Sequence, residues 1–123
     1  VGKLTSDGVT SEVIRGDVSA ANRTAIFDRF QTASDPKVLV VQPQSAAHGV
    51  TLTAANTIVW WGPTSSLETY LQANARIHRA GQDQKCTVIQ LAGSAAEKRI
   101  YRMLDERINI HTAMIDLYKE ILD

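Results

Sequence analysis

The sequence predicts an α/β fold in which helices flank a mainly parallel sheet, and two observations support this prediction. Short apolar runs alternate with segments of helical spacing, as they do in repeated strand–helix units. The runs are also continuously apolar and rich in β-branched residues, as in Val-Leu-Val-Val at 38–41, which is typical of strands covered on both faces. A length of 123 residues suits one compact domain.

The order of the elements follows from where each pattern starts and stops. Strands are predicted at 9–14, 38–41, 57–61 and 86–91. Helices are predicted at 20–31, from Ser65 or Ser66 to Arg79, and from Ala95 to the end, with 52–56 as a short helix or a turn. Asn109 leaves open whether the last segment is one helix or two.

One domain is expected to span 1–123, with 95–123 as a C-terminal helical extension. The extension carries an apolar stripe that predicts packing against the core or against another lobe, at Ile100, Leu104, Ile108, Ile115, Tyr118 and Leu122. A domain of this design usually opens with a core strand, and none precedes Leu4. We therefore expect the domain to be truncated at its N-terminus.

Composition narrows the classes of function. The formal net charge is zero, with 13 basic and 13 acidic residues, which argues against a highly basic protein that coats nucleic acid but allows a local binding patch. The lone Cys86 forms no internal disulfide, the three histidines lack ligand spacing, and we expect no metal site. No run approaches the roughly 20 apolar residues that span a bilayer, so we expect no membrane segment and an intracellular location.

The first stretch with chemical content is 72–82, which contains Gln72, Arg76 and Arg79 and ends at a glycine turn. On a helix these three side chains would share one face. Two neighbouring arginines repel each other unless they meet anions, and the planar guanidinium binds phosphate oxygens with two hydrogen bonds. Taken alone, such a pair is more often an ordinary solvated helix face.

The second stretch is 45–56, directly after a core strand. It is rich in small residues, and Gly49 would let the backbone approach a ligand closely. Loops at the carboxyl ends of parallel strands bind ligands in such folds. A tight strand-to-helix turn is the alternative interpretation of this loop.

Together, in this order and separation, the two stretches resemble motifs V and VI of superfamily 2 helicases. The similarity is to the Swi/Snf-type ATPases, particularly their compact phage and bacterial forms, and it is carried by 48–52, 58–63 and 72–82. Flanking segments extend the resemblance over roughly 12–104. It departs from the family pattern at Thr51, where asparagine is usual, and at Asp17, where serine or threonine is usual.

The resemblance implies a three-layer RecA-like (P-loop NTPase-like) lobe, the second motor lobe of an ATP-dependent DNA translocase or helicase. Arg76 and Arg79 would be arginine fingers, supported by Gln72, for ATP held with Mg²⁺ mainly by an N-terminal RecA-like lobe. The resemblance also places Gly49 and Thr51 near the nucleotide. It assigns contacts with the DNA backbone to Gly16, Gln44, Ser45 and His48.

The chain contains neither a Gly-x-x-x-x-Gly-Lys-Ser/Thr loop nor an Asp-Glu-x-His metal motif. We therefore expect these 123 residues alone not to hydrolyse ATP. The compartment would be the bacterial or host cytoplasm for a phage or bacterial protein and the nucleus for a eukaryotic one.

Two other classes of function remain open. One is a stand-alone RecA-like module that binds nucleic acid or protein and takes part in no ATPase. The other is a Rossmann-like enzyme with a small nucleotide, which the absence of Gly-x-Gly-x-x-Gly after a strand argues against.

Overall fold

The computed structural model describes residue 4 and residues 6–46 and 50–122. In chain order the elements are β1 (Ser11–Ile14), α1 (Ala20–Thr32), β2 (Val38–Val41), a 3₁₀ turn (Pro43–Ala46), β3 (Thr57–Trp60), α2 (Leu67–Asn74), β4 (Thr87–Gln90) and α3 (Ala95–Leu122). Every predicted strand is present. The open alternatives resolve to a turn at 52–56 and to one continuous C-terminal helix.

The strands form two parallel pairs. β1 pairs with β2, with Ile14 opposite Val41, and β3 pairs with β4, with Trp60 opposite Gln90. Among the described residues no ladder joins β2 to β3.

Two clusters of buried side chains form the core. The first joins the β1–β2 pair to α1 and to the loops that follow, through Ile14, Ile26, Phe27, Leu52 and Ile77. The second joins β3 to α2 and α3, through Trp60, Tyr70, Tyr101 and Leu104. Ile58 packs against both clusters, so the two strand pairs share one core.

Trp60, the last residue of β3, and Trp61, which follows it, differ in burial. Trp60 is buried, lies 4.9 Å from the Tyr70 ring between centroids, and donates its indole N–H to Asn74 Oδ1 at 2.9 Å. Trp61 is 87% exposed.

Serine hydroxyls cap the starts of the three helices. Ser19, Ser66 and Ser94 accept the backbone amides of Asn22, Thr69 and Glu97, each at 3.2 Å. Each accepted amide is one that the first helical turn leaves without a partner. Ser66 rather than Ser65 is therefore the cap of α2.

The prediction that α2 continues to Arg79 is wrong, because the helix ends at Asn74. The Arg76 amide bonds the carbonyl three residues earlier, at Ala73. The next carbonyls are engaged elsewhere: Arg76 O accepts the Leu52 amide and Ile77 O accepts the Gln82 side chain. Tertiary hydrogen bonds thus replace helical ones, and both arginines lie in turns.

The apolar stripe of α3 packs only in its first half. Ile100, Leu104 and Ile108 contact the second cluster, whereas Ile115 and Tyr118 are exposed. None of the described helices is long and apolar enough to cross a membrane.

Candidate functional site

The turn that carries both arginines packs directly onto the loop before β3. The Leu52 amide donates to Arg76 O at 2.8 Å. Arg79 Nη1 donates to Val50 O at 3.0 Å and to Thr51 Oγ1 at 3.2 Å. The two stretches that the sequence singles out are therefore joined in space, and Arg79 meets Thr51.

This junction lies at the amino edge of the sheet, whereas the 45–56 loop begins at the carboxyl end of β2; Gly49 lies outside the described residues. Leu52 precedes β3 closely, and Cys86, which immediately precedes β4, places its Sγ 3.9 Å from Ile77 O. The chain leaves the carboxyl end of β2, and its 3₁₀ turn packs against α2. It then reaches the opposite edge before β3 begins.

Gln82 holds the junction together, a role that the sequence did not reveal. Its side-chain Nε2 lies within hydrogen-bond distance of three carbonyl oxygens, those of Ala55 at 2.7 Å, Ile77 at 3.0 Å and Thr53 at 3.2 Å. The side-chain amide nitrogen carries only two protons, so the three carbonyl oxygens share two hydrogen-bond donors. The sequence feature that could have pointed to Gln82 is its position at the end of the 72–82 stretch that contains both arginines.

Gln31, at the end of α1, supports the same loop from the other side. Its Nε2 donates to Thr53 Oγ1 at 2.7 Å, and its Oε1 accepts the Ala54 amide at 2.9 Å. Sequence reasoning did not identify Gln31, because its partners are more than 20 residues away and no local pattern marks them.

Arg76 is a buried cation with an unmade hydrogen bond. Only 8% of the residue is exposed, and its Nε donates to Gln72 O at 2.6 Å. Its Nη1 is buried and has no hydrogen-bond partner among the described residues. Burial, followed by the positive charge of Arg79, lowers the pKa of the Arg76 guanidinium, which nevertheless stays charged.

Gln72 contacts Arg76 through its backbone carbonyl rather than through its side chain. Its side-chain Nε2 donates to Glu68 Oε1 at 3.1 Å, while its carbonyl oxygen accepts from Arg76. The sequence placed the Gln72 side chain on the face of the two arginines; in this structure that side chain pairs along α2 with Glu68.

Three of the residues expected on the DNA side, Gly16, Gln44 and Ser45, lie at the carboxyl edge. The Gly16 amide, after β1, donates to Gln42 Oε1 at 3.1 Å, and the Ser45 amide donates to Gln42 O at 2.8 Å. Gln44 is exposed, whereas Ser45 is buried. Gln42, which sequence reasoning missed, thus links the loops after β1 and β2. His48 and Gly49 lie outside the described residues.

The described residues contain no group of three or more histidine, cysteine, aspartate or glutamate side chains that could hold a metal ion. The junction instead offers cationic and hydrogen-bonding groups from Arg76, Arg79 and Thr51. This arrangement can bind an anion.

Comparison with known proteins gives a consistent result. The family model described as helicase conserved C-terminal domain matches residues 2–81. The bifunctional helicase and thymine dioxygenase JBP2 of Leishmania braziliensis is 32% identical over 109 residues, which are 85% of this chain and 10% of that protein. A homologue in Caenorhabditis elegans of the SWI/SNF-related matrix-associated actin-dependent regulator of chromatin subfamily A-like protein 1 is 32% identical over 98 residues, 79% of this chain and 14% of that protein.

The chain therefore spans about a tenth of the length of the curated relatives it matches. Among solved structures, the C-terminal part of the Fun30 ATPase domain superimposes with a TM-score of 0.75 at 19% identity, covering 84% of this chain and 33% of that one. At this identity the likeness concerns the fold alone, and it confirms the predicted fold class.

Replacing Gln82 with leucine should lower the free energy of unfolding by about 1–3 kcal/mol, because carbonyls at the junction lose their donor. Gln84→Leu is the matched control, since that side chain is exposed and belongs to the same local segment. Urea unfolding of both variants measures the difference. Equal midpoints for the two variants would show that the Gln82 amide does not hold the junction.

Proposed function

The chain belongs to the family of helicase conserved C-terminal domains, and from that premise we propose that it is the second lobe of an ATP-driven DNA motor. Its arginine turn would meet ATP held by a first lobe, and its carboxyl edge would contact the DNA backbone. Such a motor would work inside the cell.

The observation that carries the proposal is the buried, unmatched Nη1 of Arg76. Burying a guanidinium without a partner for each N–H is costly, so the geometry favours an anion as that partner. Phosphate oxygens fit, because they accept two parallel hydrogen bonds from a guanidinium. Arg79 adds a second positive charge beside it, as the direction of the Arg76 pKa shift indicates.

We assign Arg76 and Arg79 the same chemistry with different exposure to solvent. The Arg76 side chain is buried and its Nε is held by Gln72 O, so lobe closure would have to bring a phosphate group of ATP to Arg76. Arg79 is half-buried and is directed by Val50 O and Thr51 Oγ1. In phosphoryl transfer, guanidinium groups of this kind stabilise the charge on the moving phosphoryl group.

Neither arginine can act on ATP unless another lobe brings the nucleotide to this turn. We therefore propose that lobe closure assembles the site and that Gly49 and Thr51 line it beside the arginines. The described residues contain no group of three or more histidine, cysteine, aspartate or glutamate side chains that could hold Mg²⁺, and the first lobe would hold the metal.

DNA contact belongs, in this proposal, to the loops at the carboxyl edge. Gly16 and Gln44 follow β1 and β2 there, and Gln42 ties the two loops together. The exposed side-chain amide of Gln44 can donate to phosphate oxygens without reading base sequence. His48 and Ser45 complete the proposed set, with Ser45 the least accessible because it is buried.

In the intact protein that contains this lobe, Arg76→Ala and Arg79→Ala should each slow DNA-stimulated ATP hydrolysis by about 10³-fold or more. The reason is that the negative charge on the phosphoryl group in the transition state loses a guanidinium that stabilises it. Steady-state phosphate release measures the rate. Arg102→Ala is the matched control, because Arg102 is an exposed arginine on α3.

ATP binding and the unfolding midpoint should be measured on the same variants. Loss of turnover with folding and ATP binding retained supports the proposal. Wild-type turnover in both variants would contradict it and would favour a nucleic-acid- or protein-binding module without an ATPase role.

Gln44→Glu should weaken DNA binding roughly threefold or more at low salt, because it places a negative charge beside the phosphates. Gln84→Glu makes the same charge change at the opposite edge, before β4, and should leave the affinity unchanged. Fluorescence anisotropy with labelled duplex DNA at two salt concentrations measures both. Equal affinities would remove Gln44 from the DNA contacts.

A further inference from the structure

Trp61 is the most exposed of the large apolar side chains in the part of the chain that the structure describes, at 87%. It follows the last residue of β3, so it lies at the carboxyl edge of the sheet. Scattered exposed aliphatic side chains are ordinary on a protein surface. An indole has far more apolar surface than an aliphatic side chain, and leaving it in water forgoes the free energy of burying it. The exposed indole is therefore a candidate contact for a ligand.

Hydrogen bonds from two elements hold the backbone immediately before Trp61. The Trp60 carbonyl oxygen accepts the Leu91 amide at 2.9 Å and lies 3.2 Å from the Tyr101 hydroxyl oxygen. The same hydroxyl lies 2.8 Å from the Leu91 carbonyl oxygen, so its single proton is shared between two acceptors. Tyr101 is buried. Through this side chain, α3 joins the carboxyl ends of β3 and β4 next to Trp61.

The backbone immediately after Trp61 also lies close to α3. A Cβ atom placed on Gly62 would be 3.8 Å from Glu97 Oε1, and the same carboxylate oxygen accepts the Gly93 amide at 3.3 Å. The residues on both sides of Trp61 are therefore in contact with the first two turns of one helix. Because the fold already fixes this backbone, a ligand that binds the indole would cost little further loss of backbone freedom.

Lys98 and Arg99 bring positive charge to the first turns of α3. Both side chains are exposed, and within the described ranges neither is in ion-pair distance of an acidic side chain. Their neighbour Glu97 uses its carboxylate to accept the Gly93 amide. The surface around Trp61 therefore combines an accessible aromatic ring with two cations that are not neutralised.

A nucleotide with an unpaired base matches both properties. Its base offers a flat aromatic face on which an indole can stack, and its phosphate offers an anion to lysine or arginine. A base inside a duplex has both faces covered by its neighbours, so an indole stacks only on a base that is out of the stack. An apolar partner protein would contact the indole but would leave the two cations unmatched.

We propose that Trp61 stacks on an unpaired base of the DNA that the motor holds, with Lys98 and Arg99 beside the neighbouring phosphates. This inference rests on the proposed function, because it takes the contact of DNA with the carboxyl edge as its premise. It defines the preferred substrate as DNA with an unpaired segment at this edge. The stacking selects unpaired bases without selecting a sequence, since every base has an aromatic face.

The test compares three labelled probes on the intact motor: oligodeoxythymidylate, an abasic strand of the same length, and blunt duplex DNA. Trp61→Ala should weaken binding of oligodeoxythymidylate by about tenfold or more, because the stacked base loses its platform. Its effect on the abasic strand and on the duplex should be less than about twofold, since neither offers a free base face. Fluorescence anisotropy measures all three affinities.

Two further variants control for the shape and the exposure of the side chain. Trp61→Phe keeps an aromatic ring and should retain most of the affinity for oligodeoxythymidylate. Tyr118→Ala removes another exposed aromatic side chain, from the distal part of α3, and should leave all three affinities unchanged.

A loss confined to oligodeoxythymidylate supports the proposal. Equal losses on all three probes would show that the indole supports the fold or contacts another part of the motor, which overturns it. Unchanged affinities in Trp61→Ala, with the wild-type motor binding every probe, would overturn the stacking role and leave the proposed function intact. A wild-type motor that binds none of the probes would instead contradict the proposed function, and the stacking role with it.

Discussion

The structure of the candidate site depends on the hydrogen-bonded junction between the arginine turn and the loop before β3. Leu52 N–H to Arg76 O, Arg79 to Val50 O, and Gln82 to Ala55 O hold segments that lie more than 20 residues apart. Each bond satisfies a backbone group that would otherwise be left without a partner in a turn. α2 ends at Asn74, and the Arg76 carbonyl that Leu52 occupies lies just beyond that end.

The residues proposed to meet ATP and the residues proposed to contact DNA lie at opposite edges of the sheet. Arg76, Arg79 and Thr51 lie at the amino edge of the sheet, while Gly16 and Gln44 lie at the carboxyl edge. α2 connects them, because the 3₁₀ turn that carries Gln44 packs against α2 and Arg76 bonds the Gln72 carbonyl near its end. In the proposed motor, α2 therefore links the residues proposed to meet ATP with those proposed to contact DNA.

Much of the fold could be predicted because its determinants are local. The apolar run at 38–41 and the serine caps each specify their element within a few residues. The end of α2 could not be predicted, since the carbonyls just beyond it, those of Arg76 and Ile77, bond the distant Leu52 amide and the Gln82 side chain. The sequence did not predict the contact of Arg79 with Thr51, and the roles of Gln31 and Gln82 depend on packing that no spacing encodes.

We propose that Arg76 stabilises charge in the transition state of ATP hydrolysis rather than merely holding the nucleotide. The most direct test of this role is calorimetric binding of ATP and of ADP with aluminium fluoride, a transition-state mimic, to the intact motor and its Arg76→Ala variant in the presence of DNA. We expect the variant to lose affinity for the mimic at least about 100-fold more than for ATP. Equal losses for both ligands, or none for either, would contradict it.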